Sequence, residues 1–496
     1  MNKKAFVQRC LLYIMIVGVG IVGACKKSSQ DQPNGSVDQG TPGTRDELTK
    51  DSIYLYAQQT YLWNANMPTY STFNPRQYSS YNAVLSAIKA LPSTGGKDKY
   101  SFIDDGSVAE QLGGVSGDYG FSANYDGNNL LRVKYVYPNS PADAKGLKRG
   151  YQITKVNGRT VIRSSQTDID NLNNALFGDN PSITLTLVKS DNTVEEQTVT
   201  RATYNINPVL FTNTYTVGAK KVGYVVFNSF TTNSSGLLDA AFTKFAADQI
   251  TELVVDLRYN GGGSVATAED FTNLIAPSSR NGQVMYTTYW TQTMQDGQAT
   301  ILQNQKFYAK GNDGVTRMYS FFDYSYKPTA AAGNQEVFKK RGALNGLTRV
   351  YFLVSEGTAS ASELLINNLK PIMDVQLIGK KTYGKPVGFF SIHIDKYDLY
   401  IPQFQTKNQL GQGDYFSGML VNKDVADDLT KNFGDPEEAM LKQALNYAEK
   451  GLYSTIVSEN RLSSTSGAAR ADIDRSNAQL NHEFKGMVET RKLKFK

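Results

Sequence analysis

Few residues in this chain could carry covalent chemistry. Its 496 residues include two histidines, His393 and His482, and two cysteines, Cys10 and Cys25. One group of hydroxyls that follows an apolar run is EGTASASELL, at 356–365. Within it Ser360-Ala361-Ser362-Glu363 fits the S-x-x-E capping box, in which a serine hydroxyl ties down a helix N-terminus. The same position also suits a nucleophile, because free backbone N–H groups and the helix dipole stabilise a developing oxyanion there. A serine nucleophile needs a base. His482 lies in a polar stretch, so a Ser-His-Asp triad would have to use His393. The other general base is a lysine whose burial keeps it neutral near pH 7.

The elements that must position these groups are legible around the run. Before it, RVYFLV at 349–354 is apolar and β-branched and reads as a buried strand. After it, Leu364, Leu365, Leu369 and Ile372 recur at helical spacing until Pro371 and Asp374. A second buried strand, 375–378, leads into the loop GKKTYGKPVG. Strand, helix and strand of this length make a parallel βαβ unit, whose ligands gather at the carboxyl ends of the strands. Both Ser360 and the lysine-rich loop lie there.

GTASASELL followed by GKKTYGK resembles the C-terminal processing peptidases, the tail-specific proteases that use a Ser-Lys dyad. The resemblance implies Ser360 as nucleophile and Lys385, 25 positions later, as base. It further implies that the D-L-R-x-N-x-G-G stretch at 256–263 supplies an oxyanion amide, so Gly262 or Gly263 would act with the N–H of Ala361. One departure stands out: many members carry a glutamine four residues after the lysine, and here the residue is Phe389. Gln403, Gln405 and His393 are the candidate substitutes. Asp256 and Arg258 read as a structural ion pair at a strand end.

Residues 1–25 have a basic start (Lys3, Lys4, Arg9), an apolar core and a Val-Gly-Ala-Cys box, the pattern of an exported lipoprotein with Cys25 as the lipidated residue. This implies a bacterial cell-envelope location, with the folded part facing the periplasm or the cell surface. Cleavage there would remove Cys10, leaving no thiol pair for a disulfide and no thiolate metal site. Residues 1–24 are therefore the signal peptide, and residues 25–46, rich in Ser, Gln, Asp, Gly and Pro, read as a flexible tether. Net charge is +6, with no basic cluster in the body of the chain, so nothing points to nucleic acid.

Two helical patterns fill 47–110; the S-x-x-K match at 86–89 lacks its companion motifs. Residues 111–202 alternate short strands and turns, and 130–159 resembles a PDZ domain. That module adds a peptide strand to a sheet edge, and the resemblance gives the carboxylate loop as Tyr119, Gly120, Phe121 and Ser122. Residues 203–457 then form the core, with an aromatic-rich insertion at 277–346. From about 458 the chain is polar and mixed in charge, apart from one short helical stretch, and reads as an unstructured tail.

The expected fold is therefore α/β: a βαβ-containing peptidase core, an inserted PDZ-like β-rich domain and a small helical N-terminal region. The expected function is that of a lipid-anchored serine endopeptidase acting on unfolded or C-terminally recognised exported proteins, with no metal or organic cofactor. The alternative is a catalytically impaired lipoprotein that binds peptides in the PDZ-like groove.

Overall fold

The computed structural model describes residues 42–161, 165–311, 313–455, 467–491 and 493–496. The signal segment, Cys25 and most of the tether lie outside the described residues.

A six-stranded sheet carries the core, in the order Val209–Val217, Lys220–Phe227, Glu252–Asp256, Arg349–Val354, Asp374–Gly379 and Lys423–Asp424. The first pair is antiparallel and the remainder parallel. Alternation along the strands sends side chains to opposite faces. Val225, Phe227, Leu253, Val255, Val350 and Phe352 pack on one face with the helices Ser235–Ala247, Val265–Ile275 and Ala361–Leu369. Tyr224, Val254, Tyr351 and Leu353 pack on the other, beneath the helix Ala439–Lys450. With both faces covered, the strands read as continuous apolar runs.

The helix after Arg349–Val354 ends at Leu369, two residues ahead of Pro371, which cannot continue it. The N-terminal part contributes the helices Arg45–Thr60 and Tyr81–Lys89, both packed into the main core. Strands at Phe121–Tyr125, Leu131–Val136, Gln152–Val156, Ser182–Val188 and Val194–Thr200 form a separate sheet with its own core under the helix Gln166–Phe177. Phe121–Tyr125 is an edge strand of that sheet. In the aromatic-rich insertion, Val284–Trp290 is sandwiched between Gln335–Val337 and Phe404–Asn408, and the last of these pairs with Val387–Gly388. The insertion is thus built into the core rather than hung from it.

The reading of everything beyond 458 as an unstructured tail is overturned among the described residues. Gly467–Gln479 is a helix; its Ile473, and Leu480 just after it, are buried in the core of the 121–200 sheet. Gly486–Val488 is a strand that pairs in parallel with Gly262–Ser264. Phe495 stacks on Tyr319 at 4.0 Å, and Leu493 is buried. The tail escaped a reading by hydrophobic period because its order comes from main-chain pairing and from a few isolated apolar anchors.

Candidate active site

Three loops at the carboxyl ends of adjacent parallel strands meet around Ser360. The turn after Glu252–Asp256 leads into Gly262–Ser264, the turn after Arg349–Val354 carries Ser360, and the loop after Asp374–Gly379 carries Lys385. This is where the topology of a parallel sheet gathers its functional groups.

Four hydroxyls crowd the run 355–362, and three have structural work. Ser355 Oγ donates to the Arg258 carbonyl, Thr358 Oγ1 to the Leu257 carbonyl at 2.8 Å, and Ser362 Oγ to the Asn260 carbonyl at 3.0 Å. These bonds staple the nucleophile turn to the neighbouring glycine turn. Ser360 is different. It is fully buried, its Oγ has no hydrogen-bond partner, and its backbone sits at φ 62°, ψ −110°. A positive φ in a residue with a Cβ costs on the order of 1–3 kcal/mol and persists only where the surroundings impose it. Half of the capping box is present, since Glu363 Oε2 accepts the Ser360 N–H at 2.8 Å. The serine hydroxyl does not return the bond, so Ser360 is not acting as a cap.

Glu363 is the hub that sequence reading assigned only to that box. Its buried carboxylate accepts the Ser360 and Lys385 amides on Oε2, both at 2.8 Å, and Thr382 Oγ1 at 2.5 Å and the Gly384 amide at 2.8 Å on Oε1. Burial pushes this carboxyl above its usual range, and the four donors pull it back. One carboxylate thereby clamps the nucleophile turn to the lysine loop.

Lys385 is fully buried, and burial lowers its amine from 10.5 to about 7. Such an amine is substantially neutral at physiological pH, as a general base requires. Phe389, four residues after the lysine, places its ring 4.1 Å from Nζ, and the Tyr100 ring lies at 5.5 Å. The amine donates to the main-chain carbonyl of Lys485 at 2.7 Å. No bond joins it to Ser360 Oγ. None of the three substitutes for the glutamine reaches the amine through a hydrogen bond. Gln403 Oε1 accepts the Phe390 amide, Gln405 donates to Gly413 and Asp414, and His393 pairs with Asp398 across its own hairpin.

The glycine turn discriminates between the two candidate oxyanion amides. Gly262 N–H is spent on Asn260 Oδ1 at 2.9 Å. The Gly263 amide is not taken by a side chain of its own turn and faces the Gly486 carbonyl of the paired strand. Both glycines are required: φ is 112° and 137°, and a Cβ would strike the Gly486 carbonyl at 2.3 Å or the Phe230 carbonyl at 2.4 Å. The Ala361 amide lies 3.0 Å from the place a Cβ on Gly262 would take, so the two turns are in direct contact here. Behind the turn, buried Arg258 pairs with Asp256, Glu438 and Asp427 at 2.7–2.8 Å, the structural role expected of that pair.

At the PDZ-like sheet, Gly120 N–H is held by Asp118 Oδ1 at 2.7 Å, Tyr119 is buried, and Ser122 is buried beside it. A cleft lined by Ser116, Asp118, Phe121, Leu176, Phe177 and His482 opens next to this loop. The Gly120 amide is therefore occupied from within, and on the outer edge of Phe121–Tyr125 the Tyr125 amide and carbonyl are bonded to Asn477. Among the described residues no group of three or more His, Cys, Asp or Glu side chains has metal-binding geometry.

The peptidase family S41 model matches residues 221–410, and a PDZ domain model matches 132–189. The chain is 24% identical over 340 residues to the chloroplastic C-terminal processing peptidase of Tetradesmus obliquus, covering 65% of this chain and 63% of that one. It is 24% identical over 372 residues to a CtpA-like serine protease of Staphylococcus aureus, covering 73% of this chain and 64% of that one. It thus spans just under two thirds of the length of these relatives. A crystal structure from Bacteroides fragilis assigned to the S41 proteases superposes with a TM-score of 0.56 at 24% identity, over 83% of this chain and all of that one, a likeness of fold. The two domain matches and the curated relatives agree: the chain carries a peptidase family S41 domain and a PDZ domain, and it is similar to the C-terminal processing peptidases.

Proposed function

We propose that this protein is a serine endopeptidase in which Ser360 and Lys385 form the catalytic dyad. Neutral Lys385 would take the proton of Ser360 as its oxygen attacks a peptide carbonyl. The amides of Gly263 and Ala361 would hold the tetrahedral oxygen. The lysine would then protonate the leaving amine, and water would hydrolyse the acyl-enzyme. What supports this reading is a buried amine, lowered to about 7, on one loop and a buried hydroxyl without a structural partner on the neighbouring turn. One carboxylate oxygen holds the main chains of both residues. Substrates would be unfolded proteins or exposed chain ends, drawn in through the PDZ domain.

Hydrolysis of an unfolded, carboxymethylated protein tests the reading. Ser360→Ala and Lys385→Met should each abolish it, and His393→Ala should leave it intact. Loss of activity in His393→Ala equal to that in Lys385→Met would instead favour a histidine-dependent hydrolase. A second reading, a peptide-binding protein without turnover, draws on the amine's bond to Lys485 rather than to Ser360. It predicts that wild type cleaves nothing and that Ser360 resists acylating reagents.

The N-terminal residues support export and lipid attachment at Cys25, which would tether the enzyme to a bacterial membrane. Metabolic labelling with a fatty acid, lost in Cys25→Ala, tests this.

A further inference from the structure

The C-terminal segment lies along both surfaces on which a peptide would dock. In the PDZ-like module the helix Gly467–Gln479 sits between the Phe121–Tyr125 edge and the helix Gln166–Phe177. Asn477 takes the Tyr125 amide at 2.8 Å and gives a bond to the Tyr125 carbonyl at 2.9 Å, as a paired strand would. Asn173 donates to the Gln479 carbonyl at 3.0 Å, and His482 stacks on Phe177 at 4.2 Å.

A few residues on, the same segment enters the candidate active site as an added strand. Gly486 N–H donates to the Gly261 carbonyl at 3.1 Å, and Gly486–Val488 runs parallel to Gly262–Ser264. In a parallel ladder of this register the Gly486 carbonyl faces the Gly263 amide, the proposed oxyanion donor. The strand's other edge pairs with the lysine loop: Phe389 N–H donates to the Met487 carbonyl at 3.0 Å, and Glu489 N–H to the Phe389 carbonyl at 2.8 Å. The Lys485 carbonyl takes the Lys385 amine. Downstream, Arg491 anchors the segment to Glu489, Glu336 and Glu269. With this strand in place Ser360 and Lys385 are completely buried, so no substrate carbonyl can reach the hydroxyl.

We propose that residues 471–489 are an intramolecular plug that holds the peptidase closed. Docking of a substrate peptide on the Phe121–Tyr125 edge displaces Asn477 and loosens the strand that follows. The proposal rests on the peptidase reading above. It differs from that reading in making the closed site a state the chain imposes on itself by main-chain pairing, the recognition mode an extended substrate would use.

The test uses the full chain with Met487→Asp, which puts a charge at a fully buried site, and separately Gly486→Pro, which removes the donor to Gly261. Two independent readouts apply. In the S360C background, iodoacetamide alkylation at position 360, located by mass spectrometry, reports access without requiring catalysis. With Ser360 present, hydrolysis of a carboxymethylated unfolded protein reports activity. Loss of the two or three main-chain bonds that hold the strand should raise both rates on the order of tenfold or more in either variant. Amide exchange protection at 486–489 should be lost in parallel. If protection is lost while alkylation at 360 stays slow, the plug is overturned. A Ser360-dependent cut within 484–489 also overturns it, because the segment would then be a substrate. If alkylation rises but no variant hydrolyses protein, the plug stands and the peptidase reading falls.

Discussion

Two serines open helices at the ends of neighbouring parallel strands, and the fold treats them in opposite ways. Ser264 begins Val265–Ile275 in an extended conformation at φ −66°, and its Oγ accepts the Thr267 amide at 3.1 Å, as a cap should. Ser360 begins Ala361–Leu369 at φ 62° with its hydroxyl unbonded and buried. Both follow short turns and both face the same cluster of loops. The difference is that Glu363 has taken over the work of the cap at the second helix, drawing the Ser360 amide toward the lysine loop and freeing the hydroxyl. Strain and an unsatisfied polar group coincide at the helix start where chemistry would occur, and both are absent from the one where it would not.

The largest way to break this comparison is to remove the free hydroxyl. Ser360→Ala should lower hydrolysis by about 10^4-fold or to the detection floor while leaving the melting temperature unchanged or slightly raised, since no bond is lost. A Tm loss comparable to that of a cap deletion would make Ser360 an ordinary cap. Lys385→Met should abolish hydrolysis to a similar extent. It should also stabilise the fold by about 1–3 kcal/mol at neutral pH, measured by urea denaturation, because a buried amine gives way to an apolar chain of similar length. The sign follows from linkage. The folded amine is lowered to about 7, so the unfolded state binds the extra proton between that value and 10.5, and this opposes folding as pH falls through the interval.

Glu363→Ala would strand four buried donors and should cost roughly 3 kcal/mol or more, with activity falling because the two turns part. Glu363→Gln, which keeps one acceptor oxygen, should cost less than the alanine variant in both assays. The smallest effect belongs to the other serine. Ser264→Ala should cost about 1 kcal/mol of stability and leave kcat nearly unchanged. A large loss of turnover there would blur the contrast between the two helix starts.

The strands that carry the site were legible because burial on both faces leaves short apolar runs, as at 253–255 and 350–354. The helix start at Ala361 followed from the capping pattern. The pattern could not reveal that only half of the box forms, because the serine's φ is imposed by tertiary contacts. The resemblance singled out Ser360, but why the hydroxyls of Ser355, Thr358 and Ser362 are bonded depends on which carbonyls the neighbouring turn presents. The same limit applied to Gly262, whose amide is withdrawn by the Asn260 side chain two residues earlier in the chain. The tail was the greatest omission. Gly486–Val488 has no periodicity to read, and the partner of the Lys385 amine is a main-chain carbonyl, which any residue at 485 would supply.

The central claim is that Ser360 is activated by a neutral Lys385. The most direct test is the rate at which a small sulfonyl fluoride sulfonylates Ser360, with release of fluoride, as a function of pH, in wild type and in the opened Met487→Asp chain. A rate that climbs with pH through a midpoint near 7 and vanishes in Lys385→Met is the predicted result. A rate that is flat through that midpoint, or undiminished without the lysine, would contradict it.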